Sequence, residues 1–459
     1  MVPKPCLLRF HAGTLELEGF RHGNVEDAPG GLRWDPRRGC HRGPAYLYAS
    51  VVANLAAGGI ENVDTAAGWR QHAAIHEVKL TARAYQQAAV DAWLAAGCKG
   101  VVVLPTGAGK TRVALLAMAA AGTDALVIVP TLDLVRQWYD ELRKAWSVPV
   151  GVIGGGEYEI QPLTVSTYDS AWLHMEHLGG RFGMLVFDEC HHLPGVSWQD
   201  MARLSLAPAR MGLTATPERV DGLHELFAAL IGPEVYRSEI NDLAGAWLSP
   251  YETERIEVML DEDEREAYDR ARDEYLAFLR RRGIHAGAPF GWTNFIRLAS
   301  RDAEGRSALR AYRLQRMIPR RARNKLRLCS ELVQRHRLDR VLLFTDDNAT
   351  ALALSQLLLI PLITHQTKVR ERSSLLEGFR TGRYRALVTS RVLNEGVDVP
   401  EANVAIIVSG TSSIREHVQR LGRILRPATG KKAVLYELVT SDTNEQATSR
   451  RRRDHRAYR

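Results

Sequence analysis

The stretch from Val101 to Thr111, Val-Val-Val-Leu-Pro-Thr-Gly-Ala-Gly-Lys-Thr, constrains the fold more than any other. Four apolar residues, Val101 to Leu104, suit a buried strand, and Pro105 ends it. Thr106-Gly107-Ala108-Gly109 then turns without bulky side chains, and Val113, Leu116 and Ala117 recur at helical spacing after Lys110. A strand, a small-residue turn and a helix start make an anion cradle. Backbone N–H groups and the positive end of the helix dipole converge there on bound phosphates. In such a cradle Lys110 reaches the β- and γ-phosphates, and the Thr111 hydroxyl ligates Mg²⁺. The pattern departs from G-x-x-x-x-G-K-[ST] at its first glycine, where Leu104 stands. The plainer alternative is a glycine turn between a strand and a helix.

The flanking sequence extends this unit into a sheet. Ala125–Pro130, Leu163–Tyr168, Met184–Phe187 and Met211–Pro217 are apolar runs separated by helical patterns. That alternation predicts a doubly wound parallel sheet, in which ligands sit at the carboxyl ends of strands. Asp188-Glu189 falls at one such end and completes an NTPase site. Asp188 holds Mg²⁺, directly or through water, and Glu189 polarises the attacking water. Arg83, Tyr85 and Gln86, just upstream, suit adenine reading through the Gln amide.

A second alternating block follows, with strands at Arg340–Thr345, Ile363–His365, Ala386–Ser390, Val404–Val408 and Ala433–Leu438. It has no phosphate cradle. It carries Gln419-Arg420-Leu-Gly422-Arg423-Ile-Leu-Arg426 instead, polar residues opening a helix. Their spacing suits a γ-phosphate contact delivered across a cleft, with Arg423 and Arg426 as arginine fingers. Upstream, Gly396 supplies a turn and Asp398 a polar ribose or phosphate contact.

Length and charge bound the rest. At 459 residues roughly three domains are expected. The reading divides the chain into a small α+β module (1–75), a first RecA-like domain (76–242) and a second (243–459), with a helical insertion near 262–325. The formal net charge of +8 fits a polyanionic partner. Between Arg280 and Lys325 thirteen Arg or Lys stand against two acids, with Phe290, Trp292 and Phe295 among them. That composition suits a nucleic-acid grip, or a solvated basic helix hairpin. In the first module Trp34, Arg37, Arg38, Arg42, Tyr46 and Tyr48 fit a basic aromatic surface, or equally core aromatics beside a solvated loop. Five cysteines without a C-x-x-C pair indicate neither a zinc ribbon nor a disulfide framework. No signal peptide or membrane-spanning run is read, so a cytoplasmic setting is expected. Gly68–Glu77 reads as a linker, and the basic tail from Arg450 as mobile.

These motifs together resemble the XPB family of superfamily 2 DExH helicases, in its compact archaeal and bacterial form. The residues carrying the resemblance are Arg83/Gln86, Leu104–Thr111, Asp188-Glu-Cys-His191-His-Leu-Pro194, Thr214-Ala-Thr216, Leu393–Pro400 and Gln419–Pro427. The resemblance implies a 3′→5′ DNA helicase or duplex-melting translocase of nucleotide excision repair, using ATP and Mg²⁺. It further implies an N-terminal damage-recognition domain and a thumb near 262–325. Thr131, Ser166, Thr167 and Thr389 correspond to DNA-backbone contacts, and Thr214 and Thr216 to residues coupling hydrolysis to movement. The expected partners are single-stranded and forked DNA and a repair nuclease, with the motor a monomer and no membrane association. One departure is Arg219-Val220-Asp221, where the family carries Arg-Glu-Asp, associated with strand separation. It points to weak unwinding relative to ATPase activity. The alternatives are a double-strand translocase, an RNA helicase, a restriction-system motor, or a non-motor DNA-binding scaffold.

Overall fold

The computed structural model describes residues 5–20, 29–76, 80–195, 197–218, 221–243, 251–285, 291–390, 402–410 and 433–453. The chain divides into two compact units, with the break after Leu243.

The first unit opens on a small sheet ordered β3-β4-β2-β1-β5. Its strands are β1 (Cys6–His11), β2 (Thr14–Glu18), β3 (Arg33–Asp35), β4 (Cys40–Pro44) and β5 (Asn62–Asp64), and helix α1 (Tyr48–Ala57) covers one face. Ala12 and Gly13 turn between β1 and β2 with φ of 43° and 75°, the left-handed pair that a two-residue hairpin needs. Leu8, Leu15, Leu17, Val51 and Leu55 form the core, and Leu206 of the next domain joins it. The module is therefore packed onto its neighbour. A Cβ on Gly13 would lie 2.5 Å from Leu204, and one on Gly179 2.8 Å from the Phe10 ring.

The segment read as a linker is a strap. Gln71 bridges to Thr123, helix α2 (Ala73–His76) follows, and His72 Nε2 lies 2.7 Å from the buried Asp124 carboxylate. Asp124 Oδ2 also accepts the Arg70 N–H at 2.9 Å. Polar, glycine-containing sequence suggested a free segment, yet it is bonded to a buried carboxylate some fifty residues away and to the main chain at Gly122 and Gly180, which local composition does not reveal.

The larger sheet is ordered β13-β6-β12-β11-β7-β10-β8-β9. In chain order its elements are α3 (Ala84–Ala95), β6 (Lys99–Val103), α4 (Lys110–Ala121), β7 (Ala125–Val129), α5 (Leu132–Ala145), β8 (Val150–Gly154), β9 (Glu157–Tyr158), β10 (Leu163–Thr167) and α6 (Tyr168–Leu178). Then come β11 (Met184–Asp188), α7 (Gln199–Arg203), β12 (Ala209–Thr214), α8 (Phe227–Leu230), β13 (Glu234–Arg237) and α9 (Ile240–Leu243). All pairings are parallel except β8 with β9. β7 and β11 are buried along their whole length, as continuous apolar runs covered on both faces must be. Register brings Val103 beside Thr214 and Asp188 beside Leu213, so the chemistry-bearing ends of β6, β12 and β11 lie in a row.

The second unit is a parallel sheet ordered β14-β19-β18-β15-β17-β16. β14 (Tyr251–Val258) leads into a helical group of α10 (Glu262–Arg281), α11 (Gly291–Ala299) and α12 (Ala303–Arg320). After it come α13 (Arg323–Arg335), β15 (Val341–Thr345), α14 (Asn348–Leu358), β16 (Leu362–Ile363), α15 (Val369–Arg380), β17 (Ala386–Ser390), β18 (Val404–Ile407), β19 (Ala433–Thr440) and α16 (Asn444–Arg453). Tyr275, Phe278, Phe295 and Ala308 give α10–α12 a core of its own. Helix α16 reaches Arg453, so the basic tail is helical at its start. β14 went unread in the sequence because its alternating Glu and Arg hide an edge strand, paired along its whole length with β19.

Candidate nucleotide site

β6 delivers the cradle to the carboxyl edge. Leu104, where the general pattern has glycine, is fully buried, and its N–H donates to Thr214 O at 3.0 Å. The leucine thus extends the pairing of β6 with β12 by one residue. The loop then needs its glycines: Gly107 and Gly109 have φ of 86° and 81°. A Cβ on Gly109 would also lie 2.6 Å from Gln86 Nε2. Gly109 caps α4, whose first turn begins with Lys110 and Thr111. Thr106 Oγ1 is buried and has no hydrogen-bond partner among the described residues.

Helix α3 braces this loop from behind. Tyr85 OH donates to Ala108 O at 2.6 Å, and Gln86 Nε2 donates to the same carbonyl at 3.0 Å. Gln86 Oε1 accepts the Arg83 N–H at 3.0 Å. Both ends of the Gln86 amide are thus committed to the cap of α3 and to the cradle. In this conformation the amide holds the loop rather than presenting an edge to adenine, a difference from the sequence reading.

Asp188 ends β11 and is almost wholly buried. Its Oδ2 accepts Trp138 Nε1–H at 2.8 Å, its Oδ1 accepts the Glu189 N–H at 3.0 Å, and its main-chain O accepts Tyr168 OH at 3.1 Å. Burial, and then the neighbouring Glu189 charge, push its carboxyl up to about 6, while Lys110 and the Trp138 hydrogen bond pull the other way. Glu189 adopts a left-handed backbone at φ 48°, which turns the chain sharply after Asp188. Lys110 Nζ lies 3.7 Å from Glu189 Oε1, and His191 Nδ1 lies 3.4 Å from Glu189 Oε2. His191 Nδ1 is also 3.2 Å from Thr214 Oγ1, which accepts the Thr216 N–H at 3.2 Å. Lys110, Glu189, His191 and Thr214 therefore form a chain of polar contacts across three adjacent strand ends. Cys190 is buried, and desolvation pushes its thiol well up, so it is an inert core group.

The residues matched to DNA contacts divide in two. Thr131 and Thr167 are half-buried N-caps of α5 and α6, whose hydroxyls accept the Leu134 and Ser170 N–H groups at 3.4 and 3.1 Å. Ser166 and Thr389 are buried, and their hydroxyls donate to the carbonyls of Thr167 and Ser390. As placed, each hydroxyl is buried and committed to its neighbour's carbonyl rather than presented to a nucleic-acid strand. Gly396, Asp398, Gln419, Arg423 and Arg426 lie outside the described residues, as do Arg219 and Val220.

Two basic regions also differ from each other. In the N-terminal module Arg37 pairs with Asp35 at 2.9 Å and Arg38 with the buried Glu16 at 3.1 Å, and Arg37 holds the Asp35 carboxyl down at about 2. Tyr48 OH donates to Asp64 at 2.6 Å. These arginines neutralise acids of their own sheet. In the helical group, Arg281 and Arg282 take up Glu304 and Asp302, whereas Trp292 is 47% exposed and stacks 4.8 Å from the Tyr312 ring, over which Arg316 lies. No helix among the described residues is long and apolar enough to cross a membrane.

Three family profiles match the chain. They are the type III restriction enzyme res subunit over residues 79–219, the ERCC3/RAD25/XPB C-terminal helicase over 307–456, and the Xeroderma pigmentosum group B helicase damage recognition domain over 8–66. The DNA 3′-5′ translocase XPB2 of Sulfurisphaera tokodaii is 39% identical over 97% of this chain and 99% of its own length. The DNA 3′-5′ helicase XPB of Mycobacterium tuberculosis is 33% identical over 80% of this chain and 62% of its own. Among solved structures, the Pyrococcus furiosus Hef helicase domain matches with a TM-score of 0.56 at 20% identity, covering 80% of this chain and 97% of that one. Dbp5 of S. cerevisiae, bound to RNA and ADP BeF3, gives 0.55 at 16% identity, covering 82% and 87%. At such identities the structural matches speak for the fold, two RecA-like parallel-sheet domains.

Proposed function

The chain belongs to the XPB family of superfamily 2 helicases, and from that premise we propose that it is an ATP-dependent DNA helicase or translocase that moves 3′→5′ and serves nucleotide excision repair. The observation that carries the reading is the convergence of Lys110, Asp188 and Glu189 at one carboxyl edge, with Lys110 held only 3.7 Å from Glu189. The family uses ATP, and the cradle of Thr106, Gly107, Ala108, Gly109 and Lys110 is where its phosphates fit. Lys110 exchanges its long contact with Glu189 for the γ-phosphate. That frees the Glu189 carboxylate to orient water and accept its proton. The donor set also suits Mg²⁺: a buried carboxylate on Asp188 and the Thr111 hydroxyl, with the buried Thr106 Oγ1 left without a hydrogen-bond partner among the described residues of the cradle. Thr111 and Asp188 would hold the ion, which neutralises phosphate charge when bound. Gln86 braces the cradle, and its amide would read adenine, with Arg83 beside it, by exchanging its bonds to Arg83 N–H and Ala108 O.

The rest of the reading is assigned by residue. Gln419, Arg423 and Arg426 stabilise charge developing on the phosphate, and Gly396 and Asp398 contact ribose or phosphate. Thr214 and Thr216 pass the state of Glu189 to neighbouring elements through His191. Thr131 and Thr167 meet the DNA backbone, while Ser166 and Thr389 shape the strand ends behind such contacts. The domains fall at 1–75, 76–242 and 243–459, with a thumb-like insertion near 262–325. A repair nuclease is the partner the family suggests, and the motor acts as a monomer. Val220, in the place of a family glutamate, favours a second reading: a translocase on duplex DNA whose unwinding is weak.

ATP turnover measured alone and with single-stranded DNA, duplex DNA or RNA tests this. Stimulation by DNA is expected, and stimulation by RNA alone, or by no nucleic acid, sinks it. Arg426→Ala should lower turnover far more than nucleotide affinity. A parallel loss of both would remove its transition-state role.

A further inference from the structure

Two buried aromatic residues of the first unit converge on Asp188 from two different helices. Trp138 and Tyr168 are each 1% exposed. Trp138 reaches the Asp188 carboxylate from α5 with a 2.8 Å hydrogen bond, and Tyr168 reaches the Asp188 carbonyl from α6 with one of 3.1 Å. Each helix begins at a half-buried threonine cap, Thr131 for α5 and Thr167 for α6. Tyr168 directly follows Thr167, and Trp138 lies seven residues beyond Thr131, about 10 Å along the axis at roughly 1.5 Å per residue. Both helices are rigid over such a span. A shift of either cap therefore moves a hydrogen-bond donor at Asp188 directly. The two parallel strands that feed these helices, β7 and β10, are adjacent and in register, Val129 beside Thr167, so the Thr131 cap follows two residues beyond the position paired with the Thr167 cap.

We propose that Trp138 and Tyr168 are positioning residues that couple the threonine-capped starts of α5 and α6 to the orientation of Asp188. Strand binding at the caps then sets how readily Asp188 accepts its cation, and cation and nucleotide binding in turn stiffen the caps. Such coupling is reciprocal by thermodynamic necessity. Neither aromatic touches nucleotide or strand. Each acts through one hydrogen bond to a group that does. Indole and phenol are suited to this, because each packs a large apolar body into the core and keeps one donor at its tip. The inference rests on the reading that the two caps face DNA.

Binding of a fluorescent, non-hydrolysable ATP analogue to the full chain, titrated with Mg²⁺ with and without a single-stranded DNA oligonucleotide, tests it. In the parent protein DNA lowers the Mg²⁺ needed for half-maximal binding. Trp138→Phe and Tyr168→Phe keep the aromatic rings and delete the donors. Each should blunt that DNA effect, and Trp138→Phe should also raise the Mg²⁺ requirement on the order of tenfold, as for a lost bond to a charged group. Leu142→Ala loosens the buried face of α5 without touching the bond and should keep the parental Mg²⁺ response. If both Phe variants respond to Mg²⁺ and DNA as the parent does, or if Leu142→Ala reproduces their shift, the coupling is overturned. Thr131→Val and Thr167→Val separate the two layers. Parental DNA affinity in both would overturn the strand-facing reading itself, whereas weakened affinity there with parental behaviour in the Phe variants would overturn only the coupling.

Discussion

The two larger sheets share a parallel, doubly wound plan and use their carboxyl edges in opposite ways. In the first, Asp188 is held by bonds of 2.8 and 3.0 Å, but Lys110, Glu189, His191 and Thr214 meet through longer contacts: Lys110 to Glu189 at 3.7 Å, His191 to Glu189 at 3.4 Å and His191 to Thr214 at 3.2 Å. Such contacts exchange readily for a ligand. In the second, the described ends of β15 and β19 are closed by short bonds to the helices that root the α10–α12 group. Thr440 donates to Pro319 O at 2.8 Å, the fully buried Lys325 pairs with Glu445 at 2.6 Å, and Arg320 pairs with Asp346. Among the described residues, the first edge keeps contacts that a ligand can exchange, and the second ties the sheet to the helices that root the α10–α12 group.

Breaking the first edge should have the largest effect. Lys110→Ala should cut ATP turnover by on the order of a hundred- to a thousandfold, as for loss of a charge-stabilising donor. Its thermal unfolding should stay close to the parent's, since the ion pair that Lys110 makes among the described residues is a long one, 3.7 Å. Parental turnover in this variant would show that the cradle is not the site. Breaking the second edge should act on stability. Glu445→Ala strands a buried ammonium and should cost about 3–5 kcal/mol, read by denaturant titration. The loss should appear in the second unit and spare a probe in the first, and a uniform loss would contradict the division of labour.

A smaller effect sharpens the comparison through pH. Asp188 sits near 6 in the fold, above the ordinary carboxylate value of 3.8. Between those values the folded state holds more protons than the unfolded one. Stability therefore falls as pH rises from about 4 to 6, by at most about 1.4 kcal/mol per pH unit. Melting midpoints of the parent and of Asp188→Asn across this range should show a slope that the asparagine removes. Because Mg²⁺ competes with that proton, Mg²⁺-dependent nucleotide binding should weaken below about pH 6.

What was legible in the sequence follows the same divide. Strands such as Ala125–Val129 and Met184–Asp188, and the glycine turn at Gly107 and Gly109, are local patterns and were readable. Leu104 looked like a departure, and proves to be one further residue of β6–β12 pairing. Bonds between distant residues were not readable. Nothing local in the sequence shows that the Trp138 indole meets Asp188. Residues 68–76 looked detached, yet they are tied to Asp124. For the same reason residues 1–75 are not a free module. Deleting them would bare Leu206 and the surface around Leu204, so such a truncation tests stability as much as damage sensing. The basic loop of Arg37, Arg38 and Arg42 carried two readings because composition does not show which arginines already hold acids.

The central claim, that ATP hydrolysis at the first edge drives movement on DNA, is tested most directly by strand displacement from DNA duplexes carrying either a 3′ or a 5′ overhang. The account predicts ATP-dependent release from the 3′-tailed duplex, slow in keeping with Val220 and lost in Lys110→Ala. Release from the 5′-tailed duplex alone, or release that persists in Lys110→Ala, would contradict it.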